Sequence, residues 1–390
     1  MNSRNEIRVL HLPEWYPCAE DAMLGLFVKN QIQGLPQAEV SSTVLYASAA
    51  SGNTEPIRTE KQEGGIDEIT LKLPRRKSAM AARLRYMQSM WREMKGLHAE
   101  RPFDVVHVHV MGKAAWLAAR FKRRYGVPFV LSEHWSRYLP EHASPPSAVH
   151  IRMYRELLKR AQAFTCVSDT LRRAMEGRGL SHPLCRLIPS TVDTARFAVS
   201  SEAPTQKPPR AVHISCMEDA SKNISGLIKA VAHLSNQRAL PEAFALELIG
   251  DGPDKGAMEA LSRSLGLDDV LHFAGELEPV ELARHLSDAA FLIQSSHYET
   301  FGTPVVESLA CGVPVLSTPV GIFAEMQEAG IGLAMASSSV EHIAEGIGEM
   351  CRSYSNYDPN GLRELALGRF DKHQVGEQVL DLYKTCCLSQ

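Results

Sequence analysis

The densest chemistry in this 390-residue chain lies in the run His297-Tyr298-Glu299-Thr300-Phe301-Gly302-Thr303-Pro304-Val305-Val306-Glu307-Ser308-Leu309-Ala310-Cys311-Gly312-Val313-Pro314. Thr303 is a good N-cap, Pro304 suits a first helical position, and Gly312 with Pro314 stops a helix, so the run predicts a short helix over 304–310. The start of that helix, preceded by Gly302, would present free backbone N–H groups and the positive end of the helix dipole, a ready seat for a phosphate. Glu299 in the preceding loop and Glu307 inside the helix could accept hydroxyl groups of one ligand. Spacing alone fits a plainer reading equally well, with Glu307 complementing the helix dipole and Glu299 solvated.

The other candidates carry similar alternatives. Lys222 by itself reads as an exposed lysine at a helix start, and Gly25 as a turn glycine. His134, with Trp135 beside it at a strand end, fits a hydrogen-bonded structural histidine. His107 and His109 alternate on a strand, which predicts that one of them faces a site and argues against metal ligation. Gly250-Asp251-Gly252 with Gly256 imitates the dinucleotide fingerprint of an oxidoreductase, but the spacing is one residue too long. Glu299 and Glu307 as the acid and nucleophile of a glycosidase sit poorly with a phosphate-ready helix terminus between them.

The elements that must position these groups read as alternating strands and helices, the pattern of an α/β fold with parallel sheets. Strands are expected at Ile7–Leu12, Ser42–Tyr46, Val105–Val110, Phe129–Glu133 and Ala163–Val167, with helices at Met80–Leu97, Ala114–Tyr125 and Ile151–Ala161. A polar, Pro-rich stretch over 200–210 reads as a linker, and the strand–helix series then restarts. The expected organisation is a first Rossmann-like domain over 1–199, a second over 211–361, and a closing helix over 362–390. Two doubly wound domains of this kind should face one another across a cleft, with ligands at the carboxyl ends of their strands.

Composition narrows the class further. The chain has 44% apolar and 22% charged residues, which excludes disordered, collagen-like and coiled-coil proteins. No uncharged apolar stretch reaches the roughly 18 residues of a membrane span, and the first residues lack an apolar signal core. The eight cysteines show no C-x-x-C pairing and read as buried thiols of a reducing compartment, so a cytoplasmic location is expected. The net charge of −3 hides a split: residues 1–200 hold 29 Lys+Arg against 19 Asp+Glu, leaving an excess of basic residues in the first half and of acidic ones in the second. Clusters at Arg75-Arg76-Lys77, Lys122-Arg123-Arg124 and Arg152 to Arg173 read either as solvated helix faces or as a surface for an anionic acceptor or an anionic membrane. No aromatic-plus-basic strand pattern supports nucleic acid.

Glu299, seven residues, then Glu307, set in E-T-F-G-T-P-V-V-E-S-L-A-C-G-V-P-V, resembles the E-x7-E signature of glycosyltransferase family 4. Other stretches agree in order: Trp15-Tyr16-Pro17 with Gly25-Leu26-Phe27-Val28, Asp104 to His109, Ser132-Glu133-His134-Trp135-Ser136, Lys222-Asn223 and Ile249 to Pro253. The resemblance implies the GT-B fold and a retaining, metal-independent transfer from a nucleotide-diphosphate sugar, with no cofactor beyond that donor. It implies Glu307 on the ribose hydroxyls, Glu299 against the donor sugar, and Phe301, Gly302 and Thr303 amides around sugar and phosphate. Lys222 would neutralise the diphosphate, Gly25 would let backbone approach it, and His134 would face the transferred sugar. The implied partners are a UDP- or GDP-linked sugar and a sugar, lipid-linked or anionic acceptor, in the context of cell-surface polysaccharide or glycoconjugate synthesis. Met217 stands where many members carry an arginine, Ser190 where an asparagine is common, and Val320-Gly321 where Gly-Gly is usual. Met217 also keeps open a non-catalytic sugar-nucleotide-binding subunit.

Overall fold

Runs of β-branched residues bounded by Gly and Pro form two open sheets in the computed structural model, which describes residues 6–18, 21, 23–50, 56–74, 78–200 and 209–388. The chain groups into two units. The first comprises Met1–Tyr138, Ser144–Thr191 and Lys372–Gln390, and the second Leu139–Ala143 and Val192–Asp371.

In the first unit the order is β1 (Ile7–Pro13), α1 (Leu26–Gln33), β2 (Val40–Ala50), β3 (Ile57–Glu63), β4 (Ile66–Pro74), α2 (Ala79–Glu100), β5 (Val105–His109), α3 (Lys113–Tyr125), β6 (Phe129–Glu133), α4 (Ala148–Leu158), β7 (Ala163–Cys166), α5 (Asp169–Glu176) and β8 (Cys185–Leu187). The sheet runs β3-β4-β2-β1-β5-β6-β7-β8. All pairs are parallel except β3–β4, a hairpin closed by Gly64 and Gly65, whose φ values of 56° and 77° are those a two-residue turn demands. The hairpin is an addition to the expected strands. Its β3 side chains are nearly all exposed, so they carry no burial pattern by which a strand is recognised.

The second unit continues with β9 (Arg210–Ile214), α6 (Asp219–Lys222), α7 (Ile224–Asn236), β10 (Ala245–Ile249), α8 (Lys255–Ser264), β11 (Leu271–Gly275), α9 (Pro279–Ser287), β12 (Phe291–Gln294), α10 (Thr303–Ala310), β13 (Val315–Ser317), α11 (Gly321–Met326), β14 (Gly332–Ala334), α12 (Val340–Ser353) and α13 (Pro359–Phe370). Its six parallel strands lie in the order β11-β10-β9-β12-β13-β14. Strand order reverses between β9 and β12, the switch point where open sheets of this kind bind ligands.

The single closing helix expected over 362–390 is two helices. α13 is tied to the second unit, where the Arg363 guanidinium donates to the carbonyls of Phe197, Ala310 and Thr194 at 2.7–3.0 Å. At Asp371 the backbone turns extended, and α14 (Lys372–Leu388) packs in the first unit. Val375, Val379, Leu380, Leu382 and Tyr383 join the core there with Val9, Val28 and Ile32. The approach is close: a Cβ on Gly376 would lie 1.9 Å from the Gly34 carbonyl oxygen, so only glycine fits at that point of contact. The division between the units falls at Thr191/Val192, ahead of the Pro-rich stretch, of which 201–208 lie outside the described residues.

Candidate functional site

In the second unit the loops after the two switch-point strands bring three predicted groups together. The turn after β9 ends in α6, whose last residue is Lys222. The loop after β12 carries Glu299, and its Oε1 accepts from Lys222 Nζ at 2.5 Å and from Ser296 Oγ at 2.9 Å. Both side chains are largely shielded, at 20% and 13% exposure. Burial pulls the Lys222 pKa down, but the adjoining Glu299 carboxylate more than offsets this and holds it above the usual lysine value. The result is a fixed cation that stays charged.

Just beyond, α10 begins. The expected N-cap, Thr303, is instead the first helical residue, and Gly302 caps the helix with φ 88° and ψ 65°. The reason is steric: a Cβ at 302 would sit 2.8 Å from Gln294 Oε1 in a left-handed backbone, so glycine takes the turn. No side chain caps this helix, and with Pro304 lacking an N–H and the Val305 amide donating to the Gly302 carbonyl, the Gly302 and Thr303 amides are the ones left for a ligand. Glu307 lies in the second turn, half-buried, with no hydrogen bond or ion pair among the described residues. Burial pushes its carboxyl up to about 7, against a small pull downward from Arg196. A half-buried carboxylate without a side-chain partner suits a hydroxyl-bearing ligand. Gly321 lets the neighbouring loop close in, since a Cβ there would lie 2.4 Å from the Phe301 carbonyl oxygen and 2.9 Å from Glu299 Cβ.

Two sequence signals resolve differently from a nucleotide fingerprint and a phosphate arginine. Gly250 and Gly252 serve close backbone packing, because a Cβ on either would fall 1.9–2.0 Å from the carbonyl oxygens of Ser215 and Cys216. Met217, at φ 39°, is fully buried in the second unit's core and supplies no donor to the strand ends.

In the first unit the switch point lies between β1 and β5 and is lined by rings. His11, His107 and His109 are all buried, and His107 and His109 lie on one face of β5 with ring centroids 4.0 Å apart. This corrects the expected alternation, since residues two apart on a strand point the same way. His11 pairs in register with His107 and adds a third imidazole, its Nδ1 3.2 Å from His109 Nε2. His107 is satisfied on both sides, by Tyr383 of α14 and Ser132, each at 2.6 Å. Burial, then the neighbouring imidazoles, hold all three well below the usual histidine value, so they are neutral at neutral pH. Their ligating atoms lie within 4.8 Å of one another, but existing hydrogen bonds already use most of them.

His134 follows β6, and its ring packs 4.7 Å from Phe27 in α1, next to Gly25. The structure therefore gathers Gly25 and His134 at one place. Neither ring nitrogen of His134 has a partner, and burial lowers its pKa to about 3. Gly25 caps α1 at φ 67°, where a Cβ would lie 2.2 Å from the Trp15 carbonyl oxygen. Glu133 is the residue whose role the sequence left unread. Fully buried, it accepts the amides of His134 and Trp135 on one oxygen and that of Met111 on the other, at 2.9–3.1 Å. It thereby fixes the turn carrying His134 to the turn after β5, where Val110 holds φ 71°. Only its place between two strand ends could have signalled this.

Residues 24–196 match the family described as Glycosyltransferase Family 4, and residues 199–359 match Glycosyl transferases group 1. The chain belongs to glycosyltransferase family 4. Among relatives of this family member is a D-inositol 3-phosphate glycosyltransferase of Kineococcus radiotolerans, 28% identical over 57% of this chain and 56% of the relative. A 2-deoxystreptamine glucosyltransferase of Streptomyces kanamyceticus is 26% identical over 56% of this chain and 60% of its own length. The chain thus spans a little more than half the length of these curated relatives. Among solved structures, the sucrose-phosphate synthase of Thermosynechococcus elongatus superposes with a TM-score of 0.78 at 18% identity, covering 98% of this chain and all of that one. Anabaena HepE, solved in complex with UDP and glucose, gives 0.73 at 16% identity over 97% of this chain and all of its own. The fold of this family 4 protein is GT-B, with two Rossmann-like sheets. No helix among the described residues is long and apolar enough to cross a membrane.

Proposed function

We propose that the chain is a retaining, metal-independent glycosyltransferase that moves a sugar from a nucleoside-diphosphate sugar to an acceptor. The observation that carries this reading is the Lys222–Glu299 pair beside the uncapped start of α10, at the switch point of the second sheet. Charge builds on the departing diphosphate as the glycosidic bond breaks, and fixed donors aimed at that charge lower the barrier. Lys222 and the Gly302 and Thr303 amides are such donors. Glu299 and the Phe301 backbone hold the sugar, and Glu307 accepts from the ribose hydroxyls. In the first unit, Gly25 is assigned to the diphosphate through its backbone and His134 to the transferred sugar. His134 is held there as a neutral imidazole whose two buried ring nitrogens have no partner among the described residues.

UDP is the favoured nucleotide over GDP, supported by the HepE complexes with UDP and UDP-glucose. The basic first half favours an anionic or lipid-linked acceptor, a cytoplasmic location with peripheral membrane contact, and a role in building surface glycans. The test is a panel of UDP- and GDP-sugars with cell-extract acceptors, read by mass analysis of products. Glu307→Ala should abolish most of the transfer, and full activity in that variant would overturn the reading. Met217 buried in the core favours one second reading, a sugar-nucleotide-binding subunit without turnover. Thermal stabilisation by UDP with no product from any donor would select it.

A further inference from the structure

At the opposite end of the first sheet from Gly25 and His134, a hollow of about 460 Å³ is lined by Trp91 and Lys95 of α2 and by Arg120, Arg123, Arg124 and Tyr125 of α3. The placement follows from the topology. α2 runs down into β5 and α3 runs down into β6, so the last turns of both lie at the amino ends of the strands. None of the four cations has an ion-pair partner among the described residues. Glu93 of α2 is engaged by Arg58 at 2.6 Å. Lys122, in the same turn of α3, is directed elsewhere, donating to the Arg160 carbonyl and to Gln162.

Helix dipoles explain part of this. Arg123 and Arg124 lie in the last turn of α3, where cations are favoured. Arg120 precedes that turn, and Lys95 comes from another helix. The rings set the guanidinium groups: Arg120 stacks over Trp91 at 4.2 Å and Arg124 over Tyr125 at 5.4 Å. Neither guanidinium has a hydrogen-bond partner among the described residues, so its N–H groups remain to bind oxyanions. Four like charges around one concavity repel one another until an anion enters.

We infer that this hollow is a binding site for phosphate oxyanions, supplied either by the headgroups of an anionic lipid surface or by a free diphosphate. It stands apart from the donor site proposed above. The experiment uses the full chain saturated with UDP, so that the second unit's phosphate seat is filled. One arm is calorimetric titration with inorganic pyrophosphate. The other is co-sedimentation with phosphatidylglycerol–phosphatidylcholine vesicles against phosphatidylcholine alone. The pocket variant R120Q/R124Q is compared with the charge-matched control K159Q/R173Q, whose cations sit in ion pairs elsewhere on the same unit.

Removing two phosphate-facing cations should weaken binding about thirtyfold, with the control changed less than twofold. Loss in the vesicle arm alone names lipid headgroups as the source, and loss in the pyrophosphate arm alone names a soluble diphosphate. Equal losses in both variants, or no binding by the wild-type chain in either arm, overturn the inference. Absence of UDP stabilisation would instead count against the donor site, and the vesicle arm would still read out.

Discussion

The two units share a six-stranded parallel core order and differ in what they place at its switch point. Each sheet sends a loop from its central strand and another from the strand across the reversal. In the second unit those loops deliver a charged pair, Lys222 and Glu299, and the open amides of a helix start. In the first, β1, β5 and the turn after β6 carry neutral rings: His11, His107, His109 and His134, with Trp15 and Trp135 edge to face at 5.2 Å. The backbone path makes a place for a ligand in both, and side-chain chemistry decides what that place favours. One is charged, the other neutral and aromatic.

Acid should separate the units most. Burial holds five first-unit histidines, His11, His98, His107, His109 and His134, below their ordinary value, whereas the second unit has His213, buried and lowered to about 4. A depressed histidine contributes stability above about pH 6.5 that is lost as pH falls, because only the unfolded chain takes up the proton. Each adds up to about 1.4 kcal/mol per pH unit. Tryptophan fluorescence followed from pH 7.5 to 4.5 should show the first unit unfolding first, since all four tryptophans lie within residues 1–138. Coincident loss of second-unit signals by hydrogen exchange would break the contrast.

Met217→Arg tests whether the second unit can accept the arginine that the family resemblance leads one to expect there. The side chain is buried in the core, so an unpaired guanidinium there should cost about 3–5 kcal/mol. Denaturant melts will read this as a large loss of stability, and a stable, more active variant would mean the loop can turn its side chain outward. Lys222→Ala should leave the fold intact and lower kcat about 10²–10³-fold, the usual loss when one donor to developing negative charge is removed. Steady-state rates with the best donor of the panel measure it.

Glu307→Gln should have the smallest effect on stability, with a definite sign. The carboxyl is raised to about 7 in the folded chain, so the wild type loses stability as pH rises from about 4.5 to 7. The glutamine variant should therefore melt higher than the wild type at pH 8 and at the wild-type temperature at pH 4. Identical melting at both values would show that Glu307 is solvated.

Much of the architecture was legible because local signals agree with it. Strands such as Phe129–Glu133 and Ala245–Ile249 are short apolar runs bounded by Pro or Gly, and Ile224–Asn236 has the spacing of a buried helix. The hairpin strand at Ile57–Glu63 was not, since an exposed edge needs no apolar face. The break at Asp371 also escaped notice. Leu365 through Tyr383 keep helical spacing through it, and the turn exists because the chain bridges from Asp371 to Val192 before α14 docks beside Gly34.

Composition and spacing along the chain were enough for the doubly wound class, the phosphate-ready start of the helix at 303, and the identity of its neighbouring acids, because these depend on residues close in sequence. The pairing of Lys222 with Glu299, the clamp formed by Glu133, the gathering of His11 with His107 and His109, and the burial of Met217 join residues from different strands. Strand order and register set those distances, and both arise from packing across the whole sheet, which no local run of residues encodes.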